Sequence, residues 1–360
     1  MDFRFSDEQV MTADVVRALL AEVCSSQDLR RLLTSGGAQD ETRWTKLSEL
    51  GLTGILVPED DGGLGLAPVD LVQVAEACGY CCLPEPLVDN VGIALPLLAA
   101  FANRPGVARY LERALAGEIT VAVSHPVNPY VPHADRDTAA LIARDDGLHL
   151  VAISPDMLTM QPSADPFRRL HTIACDPGDA TRIAGHEEAA IPLRQTLDRG
   201  ALFTAAQLLG MAQRCVCLAV GYAKQRQQFG RPIGSYQAIK HHLATVQVKI
   251  EFARPVVYAA AADLPHDDLH SRARISQAKL AASEAADLAA HTAIQTHGAM
   301  GYSWEVDVHL YLKRIIALTQ VWGGPSFHRE RVAARVFSAP LGPETTFARE
   351  TDFARKTDRA

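Results

Sequence analysis

The segment Gly221–Ala244, GYAKQRQQFGRPIGSYQAIKHHLA, constrains the fold most, because it separates two long helical patterns with a compact turn. Upstream, apolar residues recur in steps of three and four on one helix face: Leu202, Ala205, Leu209, Ala212, Val216, Ala219 and Ala223. Gly230, Pro232 and Gly234 interrupt the helix. The same period then resumes at Ile239, Leu243, Val246, Ile250 and Ala253. The pattern predicts an antiparallel helix pair with an exposed tip.

The tip carries Arg226, Gln228, Phe229 and Arg231. A planar guanidinium beside an aromatic ring at a glycine-rich turn suits a phosphate-bearing aromatic ligand such as a nucleotide. A solvated helix hairpin with a basic tip is the commoner source of such a pattern. Spacing alone therefore leaves both interpretations open.

Charge and hydropathy exclude several classes of protein. The net charge is −7 over 360 residues and no basic block occurs, which argues against a nucleic-acid partner. The first residues, MDFRFSDEQV, lack the positive region and apolar run of a secretory signal. The apolar run near 91–101 is too short for a membrane span and contains Pro96. We therefore expect a cytoplasmic protein with no membrane span.

Seven cysteines, an odd number in a long chain, do not suggest a disulfide scaffold. Cys78, Cys81 and Cys82 form a CxxCC cluster, but no second ligand pair with zinc spacing follows. Cys215 and Cys217 lie in a helical pattern with the wrong spacing. We therefore expect buried, unliganded thiols, because free cysteine behaves as a small hydrophobe.

Two histidine pairs are candidate metal ligands. His241 and His242 are adjacent, so their side chains point to different helix faces and a surface or packing role is expected. His266 and His270 stand four apart, and Asp267 lies where a zincin motif has its glutamate. Pro265 and the neighbouring aspartates indicate a loop or a first helical turn, and no third ligand is evident. We expect no metal site.

The N-terminal third contains residues that typically begin and end helices. Ser6 followed by Gln9 predicts a capping box that opens a helix ending near Cys24. A second helix is expected over 40–50, where Gly51 ends it. Glycines then cluster at positions 62, 63 and 65, but they lack phosphate-loop spacing and predict a tight turn between helices. Helices are expected to continue to about residue 116.

From residue 119 to 192, short apolar runs alternate with Asp, Gly and Pro, which is typical of strands. Four helices are expected from Leu197 onward. The third, over 275–296, carries an alanine stripe for close packing at positions 278, 282, 285 and 289. We predict a mixed, mainly α fold with an N-terminal helical domain (1–118), a small central β domain (119–192), a C-terminal four-helix bundle (193–338) and a polar tail (339–360).

The motif Arg-x-Gln-Phe-Gly-x-Pro-Ile-x-x-Tyr-Gln, from Arg226 to Gln237, resembles the signature of the acyl-CoA dehydrogenase family. The resemblance implies that Arg226 and Phe229 meet the pyrophosphate and adenine side of FAD held mainly by a neighbouring subunit. Gln237 closes the motif and is assigned to the cofactor with them. The resemblance also implies that the central β domain is a small β-barrel.

A second motif, AIQTHGAMGYSWE over 293–305, resembles the family segment Ala-Ile-Gln-x-x-Gly-Gly-x-Gly-Tyr. The resemblance implies that Gln295 and Gly298 approach FAD, together with Ala299, which replaces the second glycine of the family. The region around Trp44 and the glycine turn resembles the family's N-terminal helical domain. These matches together cover most of the chain.

The reaction of the family is FAD-dependent α,β-dehydrogenation of an acyl-CoA thioester, in which a glutamate removes the α-proton. Family members place that base in a turn before the last helix or at the head of the first C-terminal helix. Here the two positions are Gly323 and Gly200, so no catalytic base is assigned. The tryptophans are Trp44, Trp304 and Trp322, so the central domain lacks the Trp-x-Thr/Ser segment that meets the flavin ring.

Some actinobacterial steroid-degrading dehydrogenases resemble the chain more closely. They are α2β2 heterotetramers in which a base-bearing subunit pairs with a base-free one that has a Gly-Gly-Pro-Ser run, as at 323–326 here. The resemblance implies a base-free subunit that donates the adenine-side wall to its partner's FAD. It also implies an acyl-CoA substrate and an electron-transfer acceptor.

Two alternatives stay open on sequence. One is a self-sufficient homotetrameric dehydrogenase with a displaced base, for which Asp198, Glu305 and Glu330 are the nearest candidates. The other is a non-enzymatic relative that serves as a scaffold or binds acyl-CoA.

Overall fold

The computed structural model describes residues 4–35, 40–136, 138–264 and 268–338. The helices are α1 (Asp7–Val23), α2 (Ser26–Thr34), α3 (Glu41–Ser48), α4 (Pro68–Tyr80), α5 (Leu87–Asp89), α6 (Leu95–Ala99), α7 (Val107–Leu115), α8 (His186–Gln225), α9 (Gln237–Asp263), α10 (Leu269–His297), α11 (Val308–Gln320) and α12 (Pro325–Val336). The strands are β1 (Val121–Ser124), β2 (Val131–Pro132), β3 (Ala139–Arg144), β4 (Gly147–Ala152), β5 (Leu158–Gln161), β6 (Leu170–Ile173), β7 (Arg182–Gly185), β8 (Gln227–Gln228) and β9 (Arg231–Pro232). The prediction of a mainly helical chain with a small β region is confirmed.

The first helix begins as predicted. The Ser6 backbone N–H donates to Gln9 Oε1 at 2.9 Å, and the Gln9 N–H donates to Ser6 Oγ at 3.2 Å. The capping box therefore opens α1, which ends one residue before Cys24. A helix that was not predicted, α2, follows and begins with a second capping box between Ser25 and Asp28.

The glycine-rich segment after α3 is the predicted tight turn. A Cβ on Gly63 would lie 2.1 Å from the Val57 carbonyl oxygen, so only glycine fits there. Gly62 has a φ of 85°, which glycine adopts without strain. The next apolar segment contains a π-helical turn, Asn90–Ala94, between α5 and α6.

The β region consists of two small sheets. One sheet has the strand order β1-β3-β4-β7, in which β1 and β3 are parallel and the other pairs are antiparallel. The other is antiparallel, with the order β2-β6-β5. Helix α8 begins at His186, so the boundary expected at 192/193 falls inside a helix. Pro192 lies within the second turn of that helix, where the sequence was expected to be strand-like.

The C-terminal bundle is formed by α8, α9, α10 and α11, with α12 packed on α10. Every residue of the apolar stripe predicted on α8 is buried, and so is the alanine stripe of α10. By length and composition α8 could cross a membrane, but 67% of its apolar window is buried inside the protein, as in a core helix. The helix pair predicted around the central turn is thus confirmed as α8 and α9.

The cysteine and histidine predictions have mixed outcomes. Cys78, Cys82 and Cys215 are buried, whereas Cys81 is half-buried and Cys217 is exposed on α8. His241 and His242 are exposed on α9, as expected of surface residues. His266, Asp267 and the polar tail lie outside the described residues.

Candidate functional site

The tip between α8 and α9 is a tight two-stranded turn. Strands β8 and β9 pair antiparallel, and the two residues between them are Phe229 and Gly230. Their φ angles are 54° and 77°, as a two-residue turn between twisted strands requires. A positive φ is strained for a bulky residue such as phenylalanine. Strain of this kind concentrates at functional sites, where surrounding contacts hold it in place.

Two arginines on the tip differ in their contacts. The Arg231 guanidinium stacks over the Tyr236 ring, 4.1 Å from its centroid. Arg226 is exposed, and its guanidinium contacts no carboxylate among the described residues. The Phe229 side chain is 92% exposed. An unpaired guanidinium and a bare aromatic ring on one tip can bind the phosphate and the base of a nucleotide.

The end of α10 lies beside this tip. The Tyr222 ring at the end of α8 stacks on the His297 ring, with 4.3 Å between centroids. Gln295 is exposed there. Gly298 follows with a φ of 59°, and a Cβ on it would meet no atom within 4 Å. A ligand can therefore approach the backbone of Gly298 closely.

Gln237 and Ala299 are also exposed, at the first residue of α9 and in the turn after α10. The residues predicted to hold the adenine side of FAD therefore lie on exposed surface at one end of the bundle. Their side chains and open backbone suit an adenosine diphosphate moiety. The second glycine of the family motif carries a methyl group here, and that methyl group is also at the surface.

Gly200, the first of the two predicted base positions, packs directly against the indole ring of Trp322. A Cβ on Gly200 would lie 2.2 Å from Cδ2 of Trp322, well inside van der Waals contact. Trp322 is only 5% exposed. Its backbone N–H donates to Asn128 Oδ1 at 2.8 Å, and its ring lies 5.5 Å from the His125 ring. No larger side chain fits at Gly200 while the indole is there.

The second base position, Gly323, is closed by α12. Gly323 has a φ of 95°, and a Cβ on it would lie 2.3 Å from Phe327 Cδ1 and 3.0 Å from His328 Nε2. The preceding Trp322 also has a positive φ, of 56°. The two positions are thus adjacent to the same indole, and neither admits a carboxylate.

Buried polar groups hold this segment in place. The Lys279 amine donates to the carbonyls of Leu318 and Val321 at 2.5 and 3.1 Å. Burial, with a smaller effect of Arg168, lowers the pKa of Lys279 well below its ordinary value. The amine therefore acts as a cap for the carbonyls at the end of α11.

The carboxylates considered as displaced bases have other surroundings. Asp198 is buried and forms an ion pair with Arg331. Glu305 and Glu330 are exposed. The Glu305 carbonyl accepts a bond from Arg30 at 2.6 Å, which ties that loop to α2.

One carboxylate near the indole was missed. Asp89 lines a cavity of about 20 Å³ that Trp322 also lines. Burial raises the pKa of Asp89, against the opposing effects of Arg168 and Arg314. A space of this size holds about one water molecule, not a substrate. Two acidic residues, Glu85 and Asp89, inside the apolar segment 83–101 were the sequence signal for carboxyl groups withdrawn from water.

The described residues therefore suit one half of FAD and not the other. The exposed end of the bundle suits the adenine and pyrophosphate half. For the flavin ring, the chain has no tryptophan in the central β region, and its two base positions are packed. Within the described residues, no group of three His, Cys, Asp or Glu side chains is arranged to hold a metal ion.

Comparisons with known proteins identify relatives of the chain. Residues 6–118 match the family model "Acyl-CoA dehydrogenase, N-terminal domain", and residues 192–337 match "Acyl-CoA dehydrogenase, C-terminal domain". The chain is 34% identical to acyl-CoA dehydrogenase IpdE2 of Mycobacterium tuberculosis, covering 93% of this chain and 99% of that protein. It is 31% identical to IpdE2 of Mycolicibacterium smegmatis, covering 92% of this chain and 100% of that protein.

Solved structures share the fold. The crystal structure of the ChsE4-ChsE5 complex from Mycobacterium tuberculosis contains a chain with a TM-score of 0.79 at 22% identity, covering 95% of this chain and 100% of that chain. Glutaryl-coenzyme A dehydrogenase in complex with glutaryl-CoA gives a TM-score of 0.80 at 21% identity, covering 93% and 96%.

Proposed function

The chain belongs to the acyl-CoA dehydrogenase family, and we propose that it acts there as a base-free subunit. In this role it completes the FAD site of a partner subunit that carries the flavin-ring pocket and the catalytic carboxylate. The reaction is α,β-dehydrogenation of an acyl-CoA thioester in lipid or steroid side-chain catabolism. The observation that carries the proposal is the contrast between the packed glycines at 200 and 323 and the open, exposed end of the bundle.

The exposed end would hold the half of FAD that is remote from the chemistry. The Arg226 guanidinium would pair with the pyrophosphate, and the Phe229 ring would stack on the adenine. Gln295 would donate to the same phosphates, and the open backbone at Gly298 would let them approach. Gln237 and Ala299 border this surface. FAD, when bound, supplies the hydride acceptor for the reaction.

The relatives support a partner of a different sequence. The ChsE4-ChsE5 complex contains two kinds of chain and shares the fold, and the IpdE2 proteins are acyl-CoA dehydrogenases. We propose an α2β2 assembly that passes electrons to an electron-transfer acceptor in the cytoplasm. The family matches over 6–118 and 192–337 also support a division into an N-terminal helical domain, a central β domain and a C-terminal bundle.

Flavin content distinguishes this proposal from a self-sufficient enzyme. We expect the chain expressed alone to retain little flavin, and the co-expressed pair with a base-bearing family member to contain about one FAD per pair, because each site needs walls from both subunits. Absorbance of the released flavin against protein concentration measures the ratio. A full complement of FAD on the chain alone, with turnover of acyl-CoA at the rate of the co-expressed pair, would contradict it. No flavin with any partner would favour a non-enzymatic relative.

A substitution on the tip tests the residue assignment. Arg226→Ala in this chain is expected to lower FAD retention by the pair at least tenfold, because a charge-assisted bond to phosphate is lost. Lys46→Ala is the matched control, because it also removes one cation. The Lys46 amine forms a surface ion pair with Glu22 of α1, away from the tip. Equal flavin retention by Arg226→Ala and Lys46→Ala would refute the role of Arg226.

A further inference from the structure

A cavity of about 590 Å³ lies where α1, α2 and α4 meet α8, α9 and α11. None of its lining residues belongs to the hairpin tip, the end of α10 or the packing around Trp322. Its volume falls in the range of sites for small organic ligands. It is thus separate from the FAD surface and from the base positions.

Much of the cavity wall is apolar. Leu20 and Leu29 contribute buried faces from α1 and α2, and Ala77 contributes one from α4. Ala21 lines the cavity as well and is exposed, so it marks the mouth. An apolar body of a ligand would replace water along these side chains.

One cation in the wall lacks an acidic partner. The Arg214 guanidinium lies over the Tyr80 ring, 5.3 Å from its centroid, and it forms no ion pair among the described residues. Burial opposes its charge, but the hydroxyls of Tyr311 and Tyr80 raise the pKa of Arg214 and keep it protonated. A partly buried guanidinium that contacts phenols and forms no ion pair within the described residues can bind an anion.

The other charges of the wall are satisfied. Arg254 forms an ion pair with Glu76, and Asp307 forms one with Arg30. Arg17, near the mouth, pairs with Asp14 at 2.6 Å on the surface of α1. Glu76 and Asp307, the two acidic residues of the wall, would repel a phosphate dianion about twice as strongly as a carboxylate monoanion. A single free guanidinium instead matches one carboxylate.

We propose that this cavity binds an apolar molecule that carries one carboxylate, with the carboxylate on Arg214 and the apolar body along α1 and α4. None of the lining residues belongs to the surface assigned to FAD. The site would bind a free carboxylic acid and take no part in the dehydrogenation.

Isothermal titration calorimetry of the full-length chain with decanoate and decan-1-ol tests this site. We expect decanoate to saturate one site per chain, and Arg214→Met to weaken its Kd at least tenfold, about 1.4 kcal/mol. Decan-1-ol is expected to bind both proteins equally, because it makes no charged contact. Arg214→Lys should restore part of the lost affinity, since it keeps the charge without the planar fork.

Two further variants locate the binding. Ala21→Trp, at the exposed mouth, is expected to abolish binding of both ligands, whereas Arg231→Met on the hairpin tip is expected to leave it unchanged. Decanoate binding that persists in Ala21→Trp would place the ligand elsewhere and overturn the proposal. Equal decanoate affinity in Arg214→Met, or tighter binding of decyl phosphate than of decanoate, would overturn it as well. None of these readouts requires flavin, so they stand apart from the test of the base-free role.

Discussion

Replacing Gly200 by alanine is expected to lower the free energy of unfolding by about 2 to 3 kcal/mol. The added methyl group would lie 2.2 Å from the Trp322 indole, whereas ordinary van der Waals contact begins at 3.4 Å. The indole is buried and its backbone is bonded to Asn128, so it has little freedom to withdraw. Denaturant unfolding followed by circular dichroism measures the change.

In a Trp322→Ala background, Gly200→Ala is expected instead to raise the free energy of unfolding. Removing the indole alone costs about 3 to 5 kcal/mol, because a large buried ring leaves a cavity. Once the indole is gone, alanine is a better helix residue than glycine by about 1 kcal/mol. The coupling energy between the two sites is then about 3 to 4 kcal/mol, at the upper end of the range found for neighbouring residues.

Gly221 provides the matched control for this cycle. It lies in the same helix, α8, but a Cβ there would meet no atom within 4 Å. Gly221→Ala is therefore expected to stabilise the protein by up to about 1 kcal/mol. Should Gly200→Ala behave like Gly221→Ala, the indole does not occupy the first base position, and the argument for a base-free subunit loses its structural support.

The cycle also bears on function. A Gly200→Glu variant is expected to give no dehydrogenase, because the carboxylate has no space until Trp322 is removed. At the two positions predicted for the base, the glycines are thus closely packed as well as lacking a side chain. This packing accords with a subunit whose chemistry is supplied by a partner.

The local features of the fold could be predicted from the sequence. The apolar stripes on α8 and α9 follow the helical period, and glycines and a proline mark the turn between them. Both features depend on residues close together in the sequence, so the sequence predicts them. The capping box at Ser6 is equally local. Helix α2 was not predicted, although a second capping box at Ser25 is a strong local signal for it. That capping box lies two residues after the end of α1, where the sequence indicates only the end of a helix.

The features that depend on distant contacts could not be predicted. Gly200 and Gly323 were identified as lacking a side chain, but the indole between them joins residues far apart in the sequence. The cavity beside Arg214 is lined by residues of α1, α2, α4 and α8, and no local pattern specifies that these helices lie together. The site residues on the tip were chosen from a motif, and their roles stay predictions until flavin binding is measured.

Acidification from pH 7.5 to 5 is expected to destabilise the wild-type chain by about 2 kcal/mol more than a His328→Gln variant. His328 is buried, with Nε2 3.0 Å from the Trp322 carbonyl oxygen and Nδ1 3.0 Å from Ser276 Oγ. A carbonyl only accepts, so Nε2 carries the proton of a neutral ring and Nδ1 accepts from the serine hydroxyl. Protonation of Nδ1 would reverse this second bond, so that Nδ1 donates and the serine hydroxyl has to turn away.

The direction of the effect follows from the pKa. Burial, followed by the charges of Lys279 and Arg331, lowers the pKa of His328 to about 3. In the unfolded chain its pKa is about 6.5. The unfolded state therefore binds the proton first, and the stability that neutral His328 provides above pH 6.5 is lost as the pH falls towards 3. At pH 5 the difference of about 1.5 pH units corresponds to about 2 kcal/mol.

Comparison with variants isolates this histidine. The other buried histidines are present in both wild type and His328→Gln, so their contributions cancel in the difference between the two pH profiles. His242→Gln, on the exposed face of α9, is expected to keep the wild-type slope. Parallel profiles for wild type and His328→Gln would show that folding does not lower the pKa of His328. A steeper wild-type profile would mean that the ring bonded to the Trp322 carbonyl stays neutral in the folded chain.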